Sequence, residues 1–544
     1  MNKNGFVEGA AIAYIAIVIT KIMGALYNIP FYSIIGDKGG VIYSYAYSIY
    51  MLFLDISTSG IPIAISIVIS EYNSLGKYHS RKKAYSLGLR FVISISVIAF
   101  IFLQLFATQI GEYFLADMTQ GVTVQEIASA VRAVSVALLI VPFLSMKRGY
   151  LQGHKFLAPP SNSQVIEQFV RIVVVLAGSY VTIYILKMGV TAGVCVALLG
   201  AAIGAGAAQI YLQKKYIDNK EQFSVKGATE EKAEPTSVIL KSIFSRCATI
   251  VLVAVTTSIY SLVDLKMLLL GLHNLAYSDE ATQVIASVAS TWAPKICMII
   301  SAMSLGLTSS IAPFIAENYA KGDMNAVNKK LNQAIGIVLA ISVPLGTGMI
   351  IFSDPVYRVF YGESLYGGNI IQLAVIVNIL ASMTTVIGMA MQSMREGKAA
   401  CFHTIVGVGI NMALDLPCIY LFDYLGLPAY LGANAASMIG YFTTMILLLS
   451  SIKRSINFSY KPVFTTAVKT ILPAVLMGAV VAALNHLWPV TQGRNLMLFV
   501  QLGIYALVGA AIYLPITYKL GVFHDVFGEE MIDKVCGKLN IRKR

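Results

Sequence analysis

Long apolar runs separated by short polar breaks fill almost the whole chain. They fall at approximately 9–35, 41–70, 86–108, 127–151, 163–186, 189–213, 239–270, 282–316, 331–352, 369–393, 402–422, 430–451, 463–487 and 496–518. Each is longer than the roughly 18 residues a helix needs to cross the hydrocarbon core of a bilayer. The runs are continuously apolar, unlike the roughly ten-residue alternating strands of membrane barrels. The pattern therefore predicts an all-α integral membrane protein of about 14 transmembrane helices. The first run begins near Gly9 with no small-residue cleavage site behind a short apolar region, so it is expected to remain as a span.

Composition agrees, and charge orients the spans. With 57% hydrophobic and 12% charged residues, a single water-soluble core is excluded. The net charge of +13 would suggest nucleic acid in a soluble protein, but here its distribution matters more, and no nucleic-acid partner is expected. With the N-terminus placed in the cytoplasm, the inner loops carry Lys77, Arg81, Lys82 and Lys83, then Lys147, Arg148 and Lys155. They continue with Lys214, Lys215, Lys220, Lys226 and Lys232, then Lys321, Lys329, Lys330, Arg395, Lys398, Lys453, Arg454 and Lys461. The outer loops hold only Lys38, Lys187, Arg358 and Arg494. This positive-inside asymmetry places both termini in the cytoplasm and requires an even number of spans. The six cysteines form no CxxC or Cys/His cluster, so neither a disulfide framework nor a thiolate metal site is implied.

The segment 214–238 is the only long polar stretch in the middle and reads as a linker between six-helix halves. The expected organisation is an N-lobe at 1–213, the linker, a C-lobe at 239–452, two added spans at 453–519 and an amphipathic cytoplasmic tail at 520–544. The halves resemble each other weakly. Glu71 and Gly76 match Glu317 and Gly322, while Leu151-Gln152 stand before Arg171 as Met391-Gln392 stand before Asn411. Parallel repeats of this kind predict two lobes around a central cavity that opens to either side in turn.

Ionisable groups inside apolar helices cost several kcal/mol and need a partner or a wet cavity. They are Lys21, Asp55, Arg132, Glu167, Arg171, Asp264, Lys266, Lys295 and Asp415. Glu167 and Arg171, four apart, can pair with each other and fix a helix contact. Lys21 and Lys295 occupy corresponding depths in the two halves; each either pairs with a carboxylate such as Asp55 or faces the cavity to meet an anionic substrate. Arg132 stands near a helix end, where it can snorkel. Asn411 and Asp415 share a helix face. With Asp264 they form an oxygen set suited to Na⁺ or a proton, or Asp415 simply accepts hydrogen bonds from neighbouring helices.

With these residues in view, the chain resembles the multidrug/oligosaccharidyl-lipid/polysaccharide exporter superfamily, and within it the MurJ-type branch that includes the YtgP and stage V sporulation B proteins. The resemblance rests on TKIMGALYNIPFYSIIG at 20–36, YSYAYSIYMLFLDISTSGIPIAIS at 43–66 and RGYLQGHKFLAPPSNSQVIEQFVRI at 148–172. It implies a 14-helix flippase, not an enzyme, in the bacterial cell membrane. It also implies a cationic cavity for the diphosphate of an undecaprenyl-linked glycolipid, above all lipid II, and a groove in the last two helices for the polyprenyl tail. Lys21 falls at the branch's first basic position, Tyr27 stands where a second would be, and Lys295 lies beside its cavity arginine. Arg132, Arg171 and Lys266 would support them. The branch's sodium site corresponds to Asp264, Asn411 and Asp415, with Ser437 as a fourth ligand. A monomer working alongside cell-wall synthesis machinery is expected.

The rivals are a flippase for another lipid-linked polysaccharide unit, a cation-coupled multidrug exporter and, from a different class, a membrane glycan polymerase or transferase. An exporter of cationic drugs calls for an acidic cavity, and a polymerase for a long carboxylate-bearing outer loop. The basic surplus within the helices and the short outer loops oppose both.

Overall fold

The computed structural model describes residues 19–20, 23–58, 60–115, 118–154, 156, 158–223 and 232–527. Every regular element among them is helical. Among the described residues, twelve helices are long and apolar enough to cross a membrane: Tyr78–Leu115, Val124–Gly153, Ala158–Ile185, Val190–Asp218, Val251–Asn274, Asp279–Ile300, Met324–Ile351, Gly367–Ser393, Gly397–Tyr424, Leu431–Ile456, Lys461–Leu487 and Leu496–Lys519. Each overlays one predicted run, and the chain is a multi-pass membrane protein. The two remaining runs behave differently. Residues 9–18 and 21–22 of the run 9–35, Lys21 among them, lie outside the described residues. The run 41–70 is divided, because the helix α1 (Asn28–Thr58) stops before Gly60 and α2 (Ile61–Ser74) restarts with proline in its first turn. Proline at that position loses no helical hydrogen bond. Helix α1 is itself kinked at Gly36, whose φ of 63° only glycine adopts readily.

By contacts the chain divides into two compact units, residues 1–291 and 292–544. In the first, α2 lies against α5 (Ala137–Gly153), which continues α4 (Val124–Ser135). A Cβ on Gly149 would stand 2.4 Å from the Pro62 carbonyl, so glycine is what lets these backbones approach. Helix α6 (Ala158–Val173) runs on through π-helical turns at Val174–Gly178 and Val181–Ile185 and packs on α7 (Val190–Asp218). Gly200 and Gly204 of α7 form the contact, and a Cβ at Gly204 would meet the Glu167 carbonyl at 2.6 Å. Helix α8 (Thr236–Asn274) packs against α1 and α2 within this unit.

In the second unit, α9 (Ala293–Ala320), α10 (Met324–Ile351) and α11 (Gly367–Ser393) pack together. Helix α12 (Gly397–Tyr424) lies along α13 (Leu431–Ile456), with Gly407 against Thr444 and Gly432 against the backbone of Ile419. The last two spans, α14 (Lys461–Leu487) and α15 (Leu496–Lys519), lean on α10.

The weak repeats recur as geometry. Lys77 N–H reaches the Tyr72 carbonyl as Asp323 N–H reaches that of Asn318, with Gly76 and Gly322 both left-handed between them. Phe156 N–H bonds the Leu151 carbonyl as Glu396 N–H bonds that of Met391. All four are six-to-one closures, and Gly76, Gly322 and Arg395 close theirs in the left-handed conformation.

Candidate functional site

Helix α6 carries two ionised groups well inside an apolar span. At 1.5 Å per residue, Glu167 lies about 14 Å and Arg171 about 20 Å along the helix from Ala158. The two pair as their spacing predicts, Arg171 Nη2 donating to Glu167 Oε1 at 2.5 Å. A third member comes from α5: Arg148 Nη2 donates to Glu167 Oε2 at 2.8 Å, and its Nε donates to Ser163 Oγ at 2.8 Å. One carboxylate thus bridges two guanidiniums, leaving a surplus of one positive charge. All three side chains are largely buried, at 14% exposure for Arg148, 12% for Glu167 and 25% for Arg171. The buried Nε of Arg171 has no hydrogen-bond partner among the described residues. Tyr27, Tyr47 and Tyr50 lie within electrostatic reach of the Arg171 guanidinium. Close by, the rings of Tyr43 and Tyr47 stack at 5.4 Å. Sequence reasoning counted Arg148 with a basic loop and missed its role; the signal was its lying inside the apolar run 127–151.

In the second unit, Lys295 follows a π-helical turn at Val288–Trp292 and sits over the Trp292 ring, 4.3 Å from its centre. Trp292 is fully buried, and its carbonyl accepts from the Tyr361 hydroxyl at 3.2 Å. A cation over an indole face is stabilised by the ring's quadrupole, more so away from water. A π-helical turn therefore stands next to each of these intramembrane cations, after Arg171 and before Lys295. Such turns release backbone groups from the regular ladder.

The second unit also assembles an oxygen cluster. Asn411 and Asp415 are fully buried on α12, and Ser437 of α13 is nearly so. Asn411 Nδ2 donates to Asp415 Oδ1 at 3.1 Å and to Ser437 Oγ at 3.2 Å. With its amide nitrogen so engaged, the buried Asn411 Oδ1 has no hydrogen-bond partner among the described residues. A carboxylate, an amide oxygen and a hydroxyl fit a small hard cation. Asp264, predicted to join them, lies on α8 in the first unit.

The other predicted residues have local partners. Arg132 bonds the Gln104 carbonyl and the Thr108 hydroxyl of α3 (Tyr78–Leu115), at 3.4 and 3.1 Å. Lys266 donates to the Tyr113 carbonyl and lies 4.7 Å from the centre of that ring. Tyr27 marks a break at the start of α1, its ring 6.3 Å from that of Phe31.

Helices α10, α14 and α15 enclose a groove of about 420 Å³ lined by Pro344, Gly348, Met477, Tyr505, Gly509 and Tyr513 among others. Both tyrosine hydroxyls are spent on backbone carbonyls, Tyr513 on Ala340 at 2.8 Å and Tyr505 on Trp488. What faces the groove is ring and aliphatic surface.

Ionised groups held within bundles of apolar helices define a polytopic membrane protein with polar business inside its spans. The family described as "Polysaccharide biosynthesis protein" matches residues 6–300, more than half of the chain, and the chain belongs to it. The MatE family matches residues 272–416. Among relatives, "Lipid II flippase MurJ" of Bacillus subtilis (strain 168) is 29% identical over 542 residues, covering 96% of this chain and 97% of the relative. "Stage V sporulation protein B" of the same organism is 23% identical, over 85% and 86% of the two chains. Among solved structures, "Lipid II flippase MurJ, inward closed conformation" aligns with a TM-score of 0.66 at 17% identity, over 95% of this chain and 99% of that one. An outward-facing multidrug resistance MATE family transporter aligns at 0.60 and 16%, over 84% and 97%. The chain shares their fold.

Proposed function

We propose that the chain is a flippase carrying an undecaprenyl-diphosphate-linked cell-wall precursor, lipid II, from the inner to the outer leaflet of the bacterial cell membrane by alternating access. The observation that carries this reading is the end-to-end similarity to the Bacillus subtilis lipid II flippase. The chemistry of the spans supports it. Cations kept inside apolar spans at Arg148, Arg171 and Lys295 suit an anionic headgroup and oppose a cargo of cationic drugs. The apolar groove of α10, α14 and α15 suits a hydrocarbon tail.

In this reading Lys295 and Arg171, with Lys21, Arg132, Lys266 and Tyr27, replace water around the diphosphate as it leaves the inner leaflet. The tail stays in a hydrocarbon environment throughout. Asn411, Asp415 and Ser437 hold a coupling Na⁺ or proton, which supplies a compensating charge beside a carboxylate deep in the protein. Both termini face the cytoplasm, as the loop charges require.

The test is depletion in the native cell with leaflet-resolved analysis of lipid-linked sugars. Inner-leaflet accumulation of lipid II, relieved by the wild-type chain but not by Lys295→Met, is the expected result. Accumulation of a different lipid-linked sugar would reassign the cargo. Unchanged lipid II, with increased sensitivity to cationic drugs, would overturn the reading.

A further inference from the structure

We propose that Arg148, Glu167 and Arg171 form a diphosphate site in which Glu167 is an internal stand-in for the ligand, displaced when the headgroup binds. The proposal rests on the flippase reading and gives it a subsite. Two guanidiniums lie on the two different oxygens of one carboxylate, at 2.8 Å on Oε2 and 2.5 Å on Oε1. A guanidinium fork recognises phosphate oxygens with the geometry it uses for carboxylate oxygens. Two forks set one carboxylate apart are therefore spaced for the neighbouring oxygens of a phosphate chain.

Charge arithmetic points the same way. The carboxylate supplies one negative charge against two positive ones, and the surplus is held inside an apolar span where an unmatched charge is costly. A diphosphate brings the missing negative charge and more acceptor oxygens than a carboxylate offers. One donor is left over for them: the buried Nε of Arg171 has no partner among the described residues, and Tyr27, Tyr47 and Tyr50 lie within electrostatic reach of its guanidinium. Between ligands, Glu167 keeps both forks ordered and spares the span two uncompensated charges. As the headgroup departs, it competes for the forks again, which limits affinity and favours release.

The experiment measures binding of undecaprenyl diphosphate to the full-length protein in detergent, with undecaprenol as the uncharged control and inorganic pyrophosphate as competitor. The wild type should bind the diphosphate lipid, more weakly at high salt, and should not retain undecaprenol. Arg148→Gln and Arg171→Gln should each weaken binding roughly tenfold, the loss of a charge-assisted contact. Glu167→Gln should strengthen it several-fold, because the competing anion is gone. That opposite sign is the decisive readout. If Glu167→Gln weakens binding as the arginine variants do, or if they leave affinity unchanged, the triad is only a helix clamp and the inference fails. Should single arginine variants not fold, Arg148→Gln/Glu167→Gln, which keeps the net charge, must bind more weakly than Glu167→Gln alone. A wild type that binds no undecaprenyl diphosphate would instead sink the flippase reading itself. Competition by pyrophosphate would make any free diphosphate a ligand, and its absence would assign the site to the lipid-borne headgroup.

Discussion

The carboxyl group of Asp415 is fully buried beside an amide and a hydroxyl, an expensive position for a charge unless a cation or a proton shares it. Substituting Asp415→Asn keeps the shape and removes the charge. If the cluster holds Na⁺, the wild-type protein in detergent should be stabilised by NaCl relative to choline chloride, and the variant should not. At a Na⁺ concentration ten times the dissociation constant, the stabilisation is about 1.4 kcal/mol. Equal thermal midpoints for the wild type in the two salts would remove Na⁺ from this cluster and leave a proton or plain hydrogen bonding. The pairing of Asn411 with Asp415 was readable from their spacing on one helix. That Ser437 joins them depends on how α12 and α13 pack, which spacing alone does not encode. Arg148 was hidden for a different reason: a basic residue at the end of an apolar run reads as a loop charge until the facing helix, with its carboxylate, is known.

At the scale of elements, continuous hydrophobicity located twelve of the spans, though not their ends, because a bilayer demands length and apolarity of every helix alike. It was blind to the interruption at Gly60, since so short a break barely alters a sliding average. It was equally blind to the π-helical turns, which share the composition of the helices around them. The polar segment ahead of α8 looked like a featureless linker, yet its end is anchored. Glu234 accepts from Lys77 Nζ at 2.6 Å and from the Tyr72 hydroxyl at 2.8 Å, while Lys83 Nζ reaches its carbonyl at 2.8 Å. The hydrogen bond from Lys77, and then that from Tyr72, lower the Glu234 pKa below the ordinary glutamate value of about 4.3. A carboxylate so depressed contributes stability that is full above the unfolded value and is lost as pH falls through the folded one. Limited proteolysis around 232–238 should therefore be slow at pH 7 and faster once the carboxylate is protonated. Glu234→Gln should reproduce the acid behaviour at pH 7; a variant as resistant as the wild type would show that the anchor lies elsewhere.

For the whole molecule, the proposed function asks for one place that meets a charged headgroup and another that meets a hydrocarbon tail. The groove is lined mainly by α10, α14 and α15, with Phe352 and Val356 beside them, and its two tyrosine hydroxyls are turned into backbone carbonyls. Nothing polar is then presented to a ligand except ring faces, so the groove suits hydrocarbon and offers little to a sugar or a phosphate. Gly348 lines it, and a Cβ placed there meets no heavy atom within 4 Å. A larger side chain at this position can project into the groove without pushing helices apart, and replacing an interior helical glycine favours the helix itself. Gly348→Phe is therefore expected to fold and to occupy the tail's place. Transport of a full-length undecaprenyl substrate into proteoliposomes should fall about tenfold, while a short-chain analogue with the same diphosphate headgroup should be carried at close to the wild-type rate. Equal losses for both substrates would mean that the residue acts on the conformational cycle, and unchanged transport of both would move the tail out of this groove.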